Sequence, residues 1–174
     1  MDFKQNYFEI FQLPQVFDLD VMDLSERFLQ LQKSIHPDKF VDASDREKRL
    51  SMQWTAQINE AYRTLKSALP RAIYLLGLEG EDITHNPVLD PGFLMQQIEL
   101  REELEEIEFA GASLEALDDF KGEVEAVMKA LETGFSNLYR DKDLAEAKQV
   151  IYKLQFMNKL LVAALHVEEK LLDY

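Results

Sequence analysis

At 174 residues the chain has room for one domain or two small ones, and a composition that is 47% hydrophobic and 30% charged excludes global disorder. Only 6 glycines and 5 prolines interrupt long stretches rich in Leu, Glu, Ala, Lys and Gln; that is too few turn residues for a many-stranded sheet, so the composition predicts an all-α protein. The net charge of −14 repels phosphate backbones and excludes nucleic acid as a partner of the whole chain, while the absence of cysteine excludes disulfides, thiol nucleophiles and any cysteine-held zinc or cluster.

The opening residues Met1–Glu9 place Asp2, Lys4 and Glu9 where a secretion signal would need an apolar run. The longest apolar runs, near Ala72–Leu78 and Leu160–Leu165, are far shorter than a membrane span. A cytoplasmic, soluble monomer is the expectation. Tyr7–Leu13 reads as a short helix stopped by Pro14. Asp20 then caps a longer helix in which Val21, Leu24, Phe28, Leu31 and Ile35 recur at spacings of three and four. It must stop near His36, because Pro37 disfavours helical geometry in the residue before it and has no amide donor. A third helix starts at Ser44 or Asp45 and carries Leu50, Trp54, Ile58, Ala61 and Leu65 on one face; with Phe28, Leu31 and Tyr62 these form the expected first core. A short helix Ala72–Leu76 ends at Gly77.

Residues 79–90, which contain Gly80, Asn86, Pro87 and Asp90 and run into Pro91, have breakers and no apolar period, and read as a linker. A charge step coincides with it: residues 1–78 carry 10 basic and 11 acidic groups, residues 79–174 carry 9 and 22. Beyond the linker, helices are expected over about Pro91–Glu108, Leu114–Tyr139 and Leu144–Leu172, separated by Gly111 and by Arg140–Asp143. Short loops between long amphipathic helices imply antiparallel neighbours in a three-helix bundle. The expected domains are thus residues 1–78 and 91–174.

Between the second and third helices stands His36-Pro37-Asp38. Alone, the tripeptide is equally the pattern of an ordinary proline-stopped turn. Its context is more specific: FLQLQKSIHPDKF at Phe28–Phe40, QINEAYRTL at Gln57–Leu65 and PRAIYLLG at Pro70–Gly77 follow in this order. Together these segments resemble the J domain of DnaJ-type co-chaperones over about residues 6–78. The resemblance implies that His36, Pro37 and Asp38 dock on a DnaK-type chaperone and speed its ATP hydrolysis, proline giving a rigid turn and Asp38 a carboxylate suited to a partner arginine. Basic residues of such domains flank the loop; here they would be Arg27, Lys33 and Lys39, which read equally as ordinary solvated charges. Ile35 replaces the aromatic residue often found before the tripeptide.

On a helical wheel of Phe93–Glu108, Phe93, Leu100, Leu104 and Ile107 fall on one narrow stripe that can face a core. Leu94, Met95 and Ile98 fall off it, on the side carrying Glu99, Glu102, Glu105 and Glu106. An apolar spot rimmed by carboxylates on a face that a core does not require is the pattern of a protein-binding surface. On the last helix Ala147, Val150, Ile151, Leu154, Met157, Leu161, Leu165 and Leu172 form the expected core stripe, with Phe156 and Leu160 pointing elsewhere, so Phe156 extends the spot if the two helices are neighbours. Burial of these residues under another helix or the first domain is the competing reading.

The segment FLMQQIELREELEEIE and the carboxy-terminal EEKLLDY resemble the HscB family of iron–sulfur cluster co-chaperones, which extends the resemblance over nearly the whole chain. It implies that Leu94, Met95, Ile98, Glu99, Glu102, Glu106 and Phe156 bind the scaffold protein IscU and that the chaperone is the specialised HscA. Ile98 stands where the family usually has leucine. The cysteine-rich amino-terminal extension of some eukaryotic relatives is missing, which favours a bacterial-type protein. Two alternatives differ in class. A J-domain adaptor for another client would keep the loop and change the second surface. An enzyme would use His36 with Asp38, or carboxylates among Glu102–Glu106, as acid, base or metal ligand; neighbouring helix glutamates point in several directions, and neither His85 nor His166 has a partner pattern. No catalysis and no cofactor is expected.

Overall fold

The computed structural model describes residues 4–35, 43–83, 88–109 and 114–172. Among them are seven helices and no strand: α1 (Tyr7–Ile10), α2 (Val21–Ile35), α3 (Asp45–Lys66), α4 (Ala68–Leu78), α5 (Pro91–Phe109), α6 (Leu114–Arg140) and α7 (Leu144–Leu172). The all-α expectation is borne out. The chain divides into two compact units, Met1–Glu79 and Gly80–Tyr174.

In the first unit, α1 is shorter than Tyr7–Leu13. Asn6 opens it with a reciprocal cap to Glu9. It closes not at Pro14 but at Gln12, whose φ of 53° lets its amide reach the Glu9 carbonyl while the Leu13 amide reaches that of Phe8, a Schellman turn. Asp20 caps α2 by accepting from the amides of Met22 and Asp23 at 2.9 and 3.2 Å, and Ser44 caps α3 in a second reciprocal box with Glu47. The Ser44 hydroxyl and amide hold the Glu47 carboxyl below its usual range.

The first core is formed by Phe8, Phe11, Leu24, Trp54, Ile58, Ala61, Leu65, Ala72, Leu75 and Leu76. Leu50, expected on the buried face of α3, is exposed instead. Its neighbour Ser51 is buried, because its hydroxyl donates to the orphan Ile35 carbonyl at the end of α2, 2.9 Å away, and that register turns Leu50 outward. Phe28, Leu31 and Tyr62 are only half-buried. Phe28 and Tyr62 stack with centroids 4.0 Å apart and close the α2–α3 seam, backed by Ser25 against the Tyr62 hydroxyl at 3.1 Å. Helix α4 begins four residues before the expected Ala72, since Pro70 lies in its first turn, where a missing amide donor costs nothing. Arg71 is buried there, donating to the Leu65 carbonyl and lying over the Phe17 ring at 4.9 Å.

In the second unit, α6 and α7 form the long hairpin. Lys142, at φ 62°, closes α6 in another Schellman turn, with its amide on Tyr139 and that of Asp143 on Leu138; the Asp143 carboxylate then caps α7 through Glu146. One four-residue step therefore ends one helix and starts the next. Helix α5 completes the bundle, placing Phe93 and Leu104 in a core with Leu117, Phe120, Val124, Met157, Leu160, Ala164 and Val167. Lys121 of α6 joins the helices through Asp118 and Glu168, both at 2.8 Å, and these hydrogen bonds raise the affinity of its ammonium for its proton.

The stripe expected on α7 holds from Ala147 to Met157 and fails beyond. Leu160 is buried, against expectation, together with Ala164 and Val167, whereas Leu161 is half-buried and Leu165 and Leu172 are exposed. The cause is the third helix: where α5 lies along α7, the buried face swings toward it and away from the line that an α6–α7 pair alone would use.

Residues 1–79 expressed alone are expected to unfold cooperatively, followed by the fluorescence of the buried and only tryptophan, Trp54. Leu65→Ala should cost that fragment about 2 to 5 kcal/mol, measured as a shift in denaturant midpoint.

Candidate functional site

Helix α5 starts as Pro91 at the first helical position allows, with Asp90 as cap accepting from the Phe93 amide at 2.8 Å. Lys153 of α7 meets the same carboxylate at 3.1 Å. The Phe93 amide first, and Lys153 second, hold Asp90 below its ordinary range. That clamp and the Lys170–Glu108 pair at 2.7 Å join the two ends of α5 to α7, which runs parallel to it, while burial of Phe93 and Leu104 fixes its rotation.

With the rotation fixed, the faces separate. Phe93 and Leu104 are buried, Leu100 and Ile107 half-buried against the core. On the other side, Leu94 is 44% exposed, Met95 60% and Ile98 53%. Glu99, Glu102, Glu105 and Glu106 are exposed around them. Three large apolar side chains within one and a half turns, facing water inside a carboxylate rim, form a surface that the fold does not use.

Phe156 differs from the other apolar members. It is half-buried, packs on the bundle core and meets Phe93 edge-on at 6.1 Å, with the Arg101 guanidinium 5.9 Å over its ring. The expectation that it lies off the core is therefore corrected: it belongs to the α5–α7 seam, one edge inward and one edge toward solvent. On the opposite flank, burial first, and then Glu123 and Glu106, raise the Glu103 carboxyl above its usual range.

In the first unit, the candidate residues His36, Pro37, Asp38 and Lys39 lie outside the described residues. Lys33, in the last turn of α2, is exposed. Arg27 is engaged by the unit itself. Its Nε donates to Asp23 at 2.8 Å, its Nη1 to the carbonyls of Phe11 and Gln12, each at 3.1 Å, and the Asp23 hydrogen bond raises the guanidinium's hold on its proton. Arg27 therefore satisfies the carbonyls at the end of α1 and ties α1 to α2, a role that sequence spacing did not suggest. Among the described residues no group of three His, Asp or Glu side chains is placed to hold a metal ion, and no helix is long and apolar enough to cross a membrane.

Comparison with known proteins decides the family. A curated co-chaperone HscB homolog of Aliivibrio fischeri is 44% identical over 169 residues, which cover 96% of this chain and 99% of that one. The chain belongs to the HscB co-chaperone family. The family model for the HSCB C-terminal oligomerisation domain matches residues 89–164, inside the second unit. The chaperone HscB from Vibrio cholerae superposes with a TM-score of 0.87 at 41% identity, covering 96% of this chain and 99% of that one. Human co-chaperone HscB gives 0.85 at 30% identity, covering 98% and 82%. The all-helical fold, a J domain followed by a C-terminal helical domain, is that of HscB, and membership implies a partner of the Hsp70 type.

The burial pattern separates Leu94, Met95 and Ile98 from Phe156 energetically. Leu94→Ala, Met95→Ala and Ile98→Ala should each melt within about 0.5 kcal/mol of the parent, as exposed sites do. Phe156→Ala should cost on the order of 1.5 kcal/mol or more, since it removes an aromatic pair as well as buried area. Thermal melts of the four variants check the split. Glu103→Gln should raise the melting temperature at pH 7. A carboxyl with its folded pKa raised penalises folding above that pKa and not below its unfolded value, so the advantage should vanish as the pH falls below about 4.

Proposed function

We propose that the chain stimulates the ATPase of the specialised DnaK-type chaperone HscA and delivers the iron–sulfur scaffold protein IscU to it, in the cytoplasm. The unit Met1–Glu79 would supply the stimulation through His36, Pro37 and Asp38, with Lys33 and Lys39 as the flanking positive charges. Arg27 borders that face, and its bonds to α1 make it first a positioning residue. The unit Gly80–Tyr174 would hold the client on Leu94, Met95, Ile98 and the outer edge of Phe156, while Glu99, Glu102 and Glu106 steer a basic client surface.

One observation carries the second half of this reading: the exposed Leu94, Met95 and Ile98 lie opposite a fully used core face of the same helix. Family membership supports the first half. The chemistry required of the chain is recognition alone. The apolar anchors would contribute affinity from the centre of the interface, about 2 kcal/mol or more each, and the carboxylates would contribute association rate and salt dependence.

Single-turnover ATP hydrolysis by HscA, with and without IscU, tests the division of labour. His36→Gln and Asp38→Ala should abolish stimulation in both conditions while leaving IscU binding unchanged. Leu94→Ala combined with Ile98→Ala should keep the basal stimulation and lose the further increase that IscU brings. Normal stimulation by either loop variant would remove the J-domain role; normal IscU binding by the α5 variant would remove the client face.

A further inference from the structure

Beside the apolar face, the α5–α7 seam opens into a groove of about 320 Å³. Its floor is apolar, made of the buried Leu104, Leu160 and Val167, and the small side chain of Ala163 leaves it open. Its α7 wall carries Lys159, His166 and Lys170 and no carboxylate; its α5 wall carries Arg101, Glu105 and Glu108. In a half of the chain with 9 basic and 22 acidic groups, this is a local concentration of cations.

The charges are not equally available. Lys170 is held by Glu108 at 2.7 Å, and His166 lies 3.6 Å from Glu169. The Arg101 guanidinium is drawn over the Phe156 ring. Lys159 is exposed and has no carboxylate at ion-pair distance among the described residues. Arg101 lines the groove and lies over Phe156, and it follows Ile98 by three residues on the same helix, which brings the groove next to the apolar face.

We propose that this groove is a second recognition site for the client, taking a segment in which an apolar side chain enters over Leu104 and Val167 while an adjacent aspartate or glutamate pairs with Lys159 and Arg101. This rests on the client reading of the Leu94–Ile98 face. The combined surface is then electrically uneven, with carboxylates Glu99, Glu102 and Glu106 along one border, and with Lys159 and Arg101 along the other, where Glu108 is taken up by Lys170 and Glu105 stands beside them. A client seated on it meets a negative border with basic groups and a positive border with acidic ones, and the reversed orientation places like charges together at both. Such an arrangement selects one orientation by repulsion as well as attraction.

The test uses the intact chain and IscU. Titration should show Lys159→Glu weakening IscU binding about tenfold and Lys159→Arg leaving it near the parent value. Melting temperatures should stay the same, because Lys159 is exposed and makes no ion pair among the described residues. Carbodiimide, which joins amines directly to carboxylates, should link Lys159 of the unaltered chain to an aspartate or glutamate of IscU, located by mass spectrometry of the linked peptide. Leu94→Ala with Ile98→Ala runs beside them as the control for the face itself. If that control weakens binding while Lys159→Glu binds as the parent does and no Lys159 link forms, the groove proposal is overturned and the face stands. If the control binds normally, the client reading fails and the groove proposal falls with it.

Discussion

Helix α5 carries large apolar residues on two opposite faces, and a bundle of three helices can bury only one of them. Phe93, Leu100, Leu104 and Ile107 satisfy the core; the cap at Asp90, its bond to Lys153 and the Lys170–Glu108 pair hold that choice in place. Leu94, Met95 and Ile98 are then left in water by geometry, not by loose folding. Each, about half exposed, forgoes part of the roughly 1.5 to 3 kcal/mol that full burial would give, a cost that the proposed client face would recover on binding. The carboxylates around it set the sign of what can approach.

The first unit follows a different logic, in which polar contacts close the ends of short helices. Asn6, Asp20 and Ser44 cap the starts of α1, α2 and α3, and the Gln12 turn, Arg27 and Ser51 satisfy carbonyls where α1 and α2 stop. The Tyr7 amide donates to the Tyr74 hydroxyl at 2.9 Å and the two rings stack at 4.3 Å, tying the first helix to the last; burial pushes the Tyr74 phenol above its usual range. These polar closures act beside an aromatic and aliphatic core that includes Phe8, Phe11, Leu24, Ile58, Leu65, Leu75 and Leu76.

How much of this the sequence discloses depends on the range of the interaction. Helix existence was legible, since breakers and caps act within four residues: Asp20, Ser44 and Pro91 mark their helices where the structure has them. The close of α1 was not, because a glutamine in the left-handed region gives no signal of the kind that glycine or proline gives. The outward face of α5 was legible on a wheel because one helix determines it. The α7 stripe was misjudged beyond Met157, since Leu160 and Leu165 exchange roles only once α5 lies beside them. For the same reason the half-burial of Phe156 and the groove at Lys159 belong to the packed bundle alone. His36, Pro37 and Asp38 remain an inference from motif and family.

The central claim is that chaperone and client are held on separate units of one chain, the client on the outer face of α5. Amide hydrogen exchange of the intact chain, with IscU alone and with HscA alone, tests it most directly. IscU is predicted to slow exchange in Leu94–Glu106 and around Phe156 and to leave Val21–Ile35 unchanged, while HscA does the reverse. Slowing by IscU in Val21–Ile35 with none in Leu94–Glu106 would contradict the account.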